Sequence, residues 1–400
     1  MKKIMILGAS ILQFPTILKA KEMGLLPVVV DMNPKAVGFS EDGIIKEVIS
    51  TIDKEGILEA AKRNKIDGIM TLASDMPMQS VAYVSSALGL VGVSEQTALN
   101  CTNKAFMRDC LKEHGVPIPE YFRVKDRDQY DKAIAHFHDL GIPCIVKPAD
   151  NSGSRGVDKL EEYEQDAVNK AYVYSKANSR FGEIVVEEFM DGSEVSVETL
   201  SVNGTCHVIQ ITDKLTTGAP YFVEMGHNEP SMLSENVQKR IREVAIAANH
   251  AVGIQIGPSH TEIKVTSKYG PKIVELGARL GGDCITTHLV PLSTGVDMVG
   301  STIRIALGEK PDIEPKWERG SAIRYLKTDV GHITSIAGIE EAKHMSGVRQ
   351  VSIVHDVGEE AKEIKSSADR IGFIICQDDS PEKAIIDCER GLMAIKVKVN

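Results

Sequence analysis

The stretch IVELGARLGGD, residues 273–283, decides how this chain is read. An apolar, β-type run carries Glu275 and then Arg279, and finishes on Gly281 and Gly282. A carboxylate pointing off a buried strand is costly unless it finds a partner, so a positive group is expected beside Glu275. Just upstream, SHTEIKVTSKYGPKIVEL reads as a hairpin of two β-rich runs about the turn Ser267-Lys268-Tyr269-Gly270. A four-residue loop there sets Glu262 directly opposite Glu275, where Cβ atoms lie about 4.5–5.5 Å apart and like charges repel. A divalent cation between them removes the repulsion. With oxygen ligands and no Cys or His in register, Mg²⁺ or Mn²⁺ is the natural occupant. A solvated strand face carrying two unrelated glutamates is the other reading of the same hairpin.

The rest of the chain narrows the class. Its 400 residues exceed one ordinary core and predict two to four subdomains. Hydrophobic residues at 42% with 26% charged residues are those of a soluble globular protein. A net charge of −10 argues against a general nucleic-acid binder while leaving room for local basic pockets. The seven cysteines form no C-x-x-C pair and no zinc spacing, which predicts reduced thiols and a cytoplasmic setting. MKKIMILGAS does not read as a signal peptide, and no run is long enough for a membrane span.

The first hundred residues alternate strand and helix signals, as in βαβ units on a parallel sheet: KIMILG, a helix near Pro15 to Met23, LPVVVD, a helix near Lys54 to Asn64, then DGIMTLA. Ligands of such sheets sit beyond the carboxyl ends of the strands, where Gly8-Ala9-Ser10, Asp31 and Ser74-Asp75 fall. The turn GASILQ has one glycine where a dinucleotide fingerprint needs three, which disfavours NAD. From Cys144 the character becomes antiparallel β, with Asn203-Gly204 as a hairpin turn. A Pro- and charge-rich linker lies near Pro311 to Glu318, and Arg324 in SAIRYL reads as a surface residue.

Two more stretches carry chemistry. In KPADNSGSRGV, from Lys147, a strand-end lysine precedes a loop of small residues whose backbone N–H groups can face a polyphosphate. It is not a Walker loop, since the lysine comes before the glycines. In Glu187-Glu188-Phe189-Met190 an apolar strand runs into acidic residues, a place where backbone groups can meet an adenine edge. Singly, each also reads as an ordinary surface loop or strand end.

In order, these pieces give a phosphate lysine, a glycine loop, an adenine hinge, and a carboxylate pair with a trailing arginine. That order and spacing resemble the ATP-grasp superfamily over most of the chain. The resemblance implies an α/β and α+β chain: a Rossmann-like N-terminal domain at 1–100, an ATP-grasp domain at 101–310 with a mobile lid subdomain about 120–190, and a small α+β C-terminal domain at 320–400. It implies that Lys104 and Lys147 contact the ATP phosphates under a lid loop of Ser152, Gly153, Ser154 and Gly156. Glu187, Glu188 and Met190 would form the adenine hinge, with Glu194 at the ribose. Glu262 and Glu275 would hold Mg²⁺, and Arg279 would stabilise a reacting acyl phosphate. One departure stands out: many members carry Asn where this chain has Gly277, so a metal ligand is missing.

The segment DKLTTGAPYFVEMGHNEPS, Asp213 to Ser231, is similar to that of bacterial L-amino acid ligases, which join two amino acids with ATP. Carried over, Glu224 and His227 lie at the substrate pocket, where a carboxylate suits a substrate ammonium. Gly281 and Gly282 let the backbone approach substrate, and Asp283 sets pocket size and polarity. The expected enzyme is an ATP-dependent carboxylate–amine ligase working through an acyl phosphate on small molecules, without nucleic acid or membrane, as a homodimer. A purine-pathway ligase, a carbamoyl-phosphate or carboxylase type, and a nucleotide-binding regulator without catalysis are the alternatives.

Overall fold

Strands β1 (Lys3–Leu7), β2 (Leu26–Asp31), β3 (Ile45–Val48) and β4 (Gly68–Thr71) form a parallel sheet in the order β3-β2-β1-β4. The structure is a computed structural model that describes residues 1–153, 155–219 and 221–400. Ile4 to Leu7 and Val28 to Val30 are fully buried, which explains why both read as unbroken apolar runs: helices cover a parallel sheet on both faces. The helix Lys54–Asn64 starts where the Asp53 carboxylate accepts from the Gly56 amide, and Lys65 ends it in a left-handed conformation. The loop after β4 reaches across to residue 280, with a parallel bridge between Leu72 and Leu280 and the Ala73 amide donating to the Leu280 carbonyl at 3.2 Å.

A second, antiparallel sheet has β5 (Tyr121–Val124), β6 (Cys144–Pro148), β7 (Asp158–Leu160) and β8 (Ile184–Glu188) in the order β5-β8-β6-β7. Helices Arg127–Leu140 and Gln165–Ala177 pack on it around Tyr130, Phe137, Val146, Val168 and Val186, a core of its own.

The third sheet has eight strands. Its first members are β9 (Ser193–Val202), β10 (Thr205–Thr216), β11 (Glu224–Glu229), β12 (Gly257–Thr266) and β13 (Gly270–Gly277). β14 (Gly320–Leu326) follows and pairs with β11, Gly226 opposite Arg324. β15 (Gly331–Ala337) leaves for a small sheet, then β16 (Val348–Ile353) comes back; β17 (Glu360–Ala361) joins β15, β18 (Gly372–Asp378) lies between β14 and β16, and β19 (Lys396–Val399) ends the chain. The order is β13-β12-β9-β10-β11-β14-β18-β16, so one sheet continues across the Pro-rich stretch near 311–318. Asn203 and Gly204 both have positive φ at the β9–β10 turn, as an Asn-Gly hairpin turn requires. No helix of the described residues is long and apolar enough to cross a membrane.

Two expectations change here. The β12–β13 loop has three residues, with Thr266 paired to Gly270, and that register alone would bring Glu262 against Val274. A bulge between Glu262 and Ile263 absorbs Val274 and restores Glu262 opposite Glu275. The pairing holds for a different reason than the turn length. Arg324 is buried, not on the surface: it stands in an inner strand and donates to the carbonyls of His227 and Ile323 at 3.2 and 2.9 Å.

Candidate functional site

Lys104 opens the helix Lys104–Glu113, whose first amides are taken by the Asn103 side chain. Its Nζ donates to Glu275 at 2.8 Å and to the Asn151 carbonyl at 2.7 Å. Lys147, near the end of β6, reaches Glu187 at 2.6 Å, and Arg108 forks onto the same carboxylate at 2.7 and 3.0 Å. All three side chains are buried. Burial pushes the Glu187 carboxyl up, yet Arg108 and Lys147 together hold it at about 2. Burial lowers Lys147, which Glu187 opposes. Two cations share one carboxylate, leaving a net positive charge in a dry place, which suits an anion. The third Arg108 bond, 2.7 Å to the Val274 carbonyl, reaches the residue displaced by the bulge.

Along the loop that follows, Gly153 and Gly156 have positive φ. A Cβ on Gly156 would lie 2.6 Å from Pro148 and Asn178, whereas one on Gly153 would meet open space. Ser152 donates its amide to Asn151, and Ser154 lies outside the described residues. Glu187 sits inside the sheet between Tyr121 and Ile145, so its carboxylate serves the Arg108–Lys147 cluster. Glu188 takes Lys272 at 3.0 Å and the Glu120 amide at 3.1 Å; Met190, buried, is beyond the strand. Glu194 is bound by Lys214 at 2.7 Å and Lys264 at 3.3 Å.

Lys214 answers the question that the opposed glutamates raise. Its buried ammonium lies 2.9 Å from Glu262 and 3.6 Å from Glu224. With Lys104 on Glu275, each member of the pair has its own lysine. His260 lies 3.5 Å from Glu262 through Nε2 and bonds Glu198 through Nδ1. Burial alone would raise Glu262, but Lys214 and His260 hold it well below the ordinary carboxylate range. Among the described residues no group of three or more His, Cys, Asp or Glu side chains is placed to hold an ion. Two opposed carboxylates do fit a hard divalent cation that draws its other ligands from phosphate oxygens and water.

Arg279 forks onto Asp75 at 2.8 and 2.9 Å, and its remaining identified bond goes to the Leu280 carbonyl at 3.2 Å. Asp283, in a left-handed conformation, forks onto Arg370 at 2.9 Å on both oxygens. Arg370 also donates to the Glu224 carbonyl at 3.1 Å and stacks with its guanidinium carbon 3.7 Å from the Tyr325 ring centre. His227, on β11, is 1% exposed with Nε2 3.6 Å from Asp283. The structure thus gathers Glu224, His227 and Asp283 on one side, and Lys104, Lys147 and Glu275 on the other.

The two glycines differ in what surrounds them. A Cβ on Gly281 would lie 2.7 Å from Glu198 and His260, and one on Gly282 would lie 3.2 Å from Ala73. The space they leave is filled by the protein itself. Reasoning from motifs missed Arg108, Lys214, Glu198, His260 and Arg370, and placed Asp75 only at a ligand-side strand end without its link to Arg279. Lys214 lay inside the quoted Asp213–Ser231 segment and His260 inside the quoted hairpin, two residues before Glu262; Arg108, Glu198 and Arg370 carry no local pattern.

Comparison with known proteins agrees with this architecture. Residues 140–287 match a family model described as an ATP-grasp domain, and residues 324–400 match L-amino acid ligase C-terminal domain 2. The chain is 26% identical to an L-arginine-specific L-amino acid ligase of Bacillus subtilis, over 83% of this chain and 80% of that one. It is 30% identical to alanine–anticapsin ligase of Bacillus subtilis (strain 168) over 57% of this chain, and the match spans about half of that relative, 51%. The crystal structure of an L-amino acid ligase from Bacillus licheniformis superimposes with a TM-score of 0.82 at 24% identity, covering 100% of this chain and 99% of that one, which is a likeness of fold.

Proposed function

From the premise that the chain belongs to the ATP-grasp superfamily, as an ADP-forming carbon–nitrogen ligase, we propose that it joins an amino acid's carboxylate to a second small amine through an acyl phosphate. The observation that carries this reading is the pair Glu262 and Glu275, opposed in register, each with a lysine, between a net-positive phosphate side and the Glu224–His227 side.

In the first step a substrate carboxylate oxygen bonds the γ-phosphorus of ATP as the bond to the β-phosphate oxygen breaks, giving acyl phosphate and ADP. Lys147 and Lys104 bind phosphate oxygens; Arg279 faces the transferring group with the N–H groups that neither Asp75 nor the Leu280 carbonyl takes. A divalent cation, held by Glu262 and Glu275, would supply further neutralisation of phosphoryl charge. In the second step the bound ammonium loses one proton to water or to His227, the amine nitrogen bonds the acyl carbon, and phosphate leaves as its bond to that carbon breaks, taking up the nitrogen's second surplus proton. Glu224 binds the ammonium form and delivers the amine beside the acyl carbon. No protein nucleophile takes part, so the work of these side chains is positioning and charge stabilisation.

The test is ADP and phosphate release from Mg-ATP across the proteinogenic L-amino acids, singly and in pairs, with Glu275→Gln as control. Pair-dependent turnover absent from the control supports the ligase and names its substrates. Silence with every pair, alongside turnover with a sugar-phosphate amine, rejects the amino-acid reading.

A further inference from the structure

Asp75 lies in the loop after β4, far in sequence from the arginine it holds, and three observations tie it to that arginine's task. Its carboxylate takes Arg279 in a two-pronged bond at 2.8 and 2.9 Å. That geometry fixes both the direction and the roll of a planar guanidinium. Of its five N–H donors, Nε and one on Nη2 go to Asp75 and one on Nη1 goes to the Leu280 carbonyl. The unused edge of the fork is the one turned away from Asp75. The Asp75 loop is itself anchored to the arginine's segment by the Leu72–Leu280 bridge and the Ala73 amide.

The third observation concerns Gly277. A Cβ built there would lie 2.4 Å from Asp75 Oδ1, closer than packing allows, and 3.2 Å from Arg279 Nε. That separation matches the reach from Cβ to side-chain oxygen within one asparagine. An Asp75 carboxylate and a side chain at 277 therefore cannot occupy this place together, which gives the glycine a physical cause.

We propose that Asp75 is a positioning residue of the ligase site: it aims Arg279 at the reacting acyl phosphate and takes the place of a side chain at position 277. This rests on the role given to Arg279 above. The Asp75 carboxylate takes its side-chain hydrogen bonds from Arg279, so its loss should be felt in turnover and in phosphate binding more than in nucleotide affinity.

The experiment compares Asp75→Ala, Gly277→Ala and the double variant, with Asp75→Asn as the conservative change. In ligation assays Asp75→Ala should lower kcat about tenfold or more while the KM for ATP stays within about twofold, with Asp75→Asn recovering part of the loss. Gly277→Ala should lower Tm in the Asp75 background and have almost no effect in the Asp75→Ala background, because the clash is gone. A probe independent of the amino-acid substrates is inorganic phosphate binding to the MgADP-loaded protein by calorimetry, expected to weaken about fivefold or more in Asp75→Ala. If wild type turns over no amino-acid pair yet Asp75→Ala loses phosphate affinity, the amino-acid reading fails and the positioning role stands. Unchanged kcat and phosphate affinity in Asp75→Ala, or a Gly277→Ala penalty equal in both backgrounds, overturns the proposal.

Discussion

The two flanks of the site handle charge differently. On the Lys147 flank, Arg108 and Lys147 share the single carboxylate of Glu187, so one positive charge is left without a carboxylate of its own. Around Arg279 and Asp283 charges are closed in one-to-one forks, Asp75 with Arg279 and Asp283 with Arg370. An imbalance of charge attracts an anion; a closed fork fixes geometry and leaves selection to shape and to small shifts in polarity. Between them the opposed Glu262 and Glu275 face lysines that a cation and nucleotide phosphates would redistribute. The largest expected effect of any single change is here. Glu262→Gln or Glu275→Gln should reduce kcat about 10³-fold or more, about 4 kcal/mol in activation free energy. Each variant should keep its fold by circular dichroism, since a glutamine fits the same place. Turnover within tenfold of wild type would remove this pair from the chemistry.

The next test breaks the Lys147 flank. Arg108→Ala leaves Glu187 with Lys147 alone, deprives the Val274 carbonyl of its donor, and vacates a side chain that is fully buried. Removing one partner of a buried cluster costs about 3–5 kcal/mol, so urea denaturation should show a loss near the lower figure because Lys147 remains. A loss below about 1 kcal/mol would mean that the cluster is far wetter than its burial indicates.

The same contrast explains what the sequence discloses. The strand-end position of Lys147, the glycine turn that follows it and the Glu262–Glu275 hairpin are legible because each lies in a short stretch whose strand and turn chemistry reveals its geometry, whereas the Glu187 carboxylate meets Lys147 and Arg108 from 40 and 79 residues away. Even there the register depends on a bulge that no residue type announces. The forks are not legible, because Asp75 and Arg279 stand 204 residues apart and Asp283 and Arg370 stand 87 apart. Only the folding of the first domain's loop and of the β18 approach brings those partners together. The parallel sheet was readable from its continuous apolar strands, whereas the joining of β14 to β11 across a Pro-rich stretch leaves no local trace.

A third test sharpens the electrostatic difference with pH. Glu229, on β11 two residues beyond His227, is fully buried and accepts from Thr212 and Ser293 at 2.8 Å each. Burial raises its carboxyl to about 8, only partly offset by those hydroxyl bonds. The unfolded chain loses this proton near the ordinary carboxylate value while the folded chain keeps it. Its contribution is therefore fully present below that value and declines as pH rises toward 8. Glu229→Gln has no such proton to lose. It should match wild type near pH 4.5 and exceed it by about 2 kcal/mol already at pH 6 in urea denaturation, the gap widening toward pH 8. A stability difference that does not vary with pH would show that Glu229 is ionised in the folded protein.

The smallest effect is also the most selective. Asp283 and Arg370 cancel one another, so removing either member leaves the other's charge beside Glu224 and His227. Asp283→Ala exposes a guanidinium still stacked on Tyr325 and should favour substrates with acidic side chains; Arg370→Met exposes a carboxylate and should favour basic ones. Each shift in the ratio of kcat/KM values is expected to be about fivefold, or about 1 kcal/mol, because the pocket is partly open to solvent. The opposite signs carry the argument. A packing disturbance from either truncation would move both variants the same way, whereas a released charge moves them apart. Shifts of equal sign, or none, would make the fork a latch between the β13 loop and the C-terminal strands with no say in substrate choice.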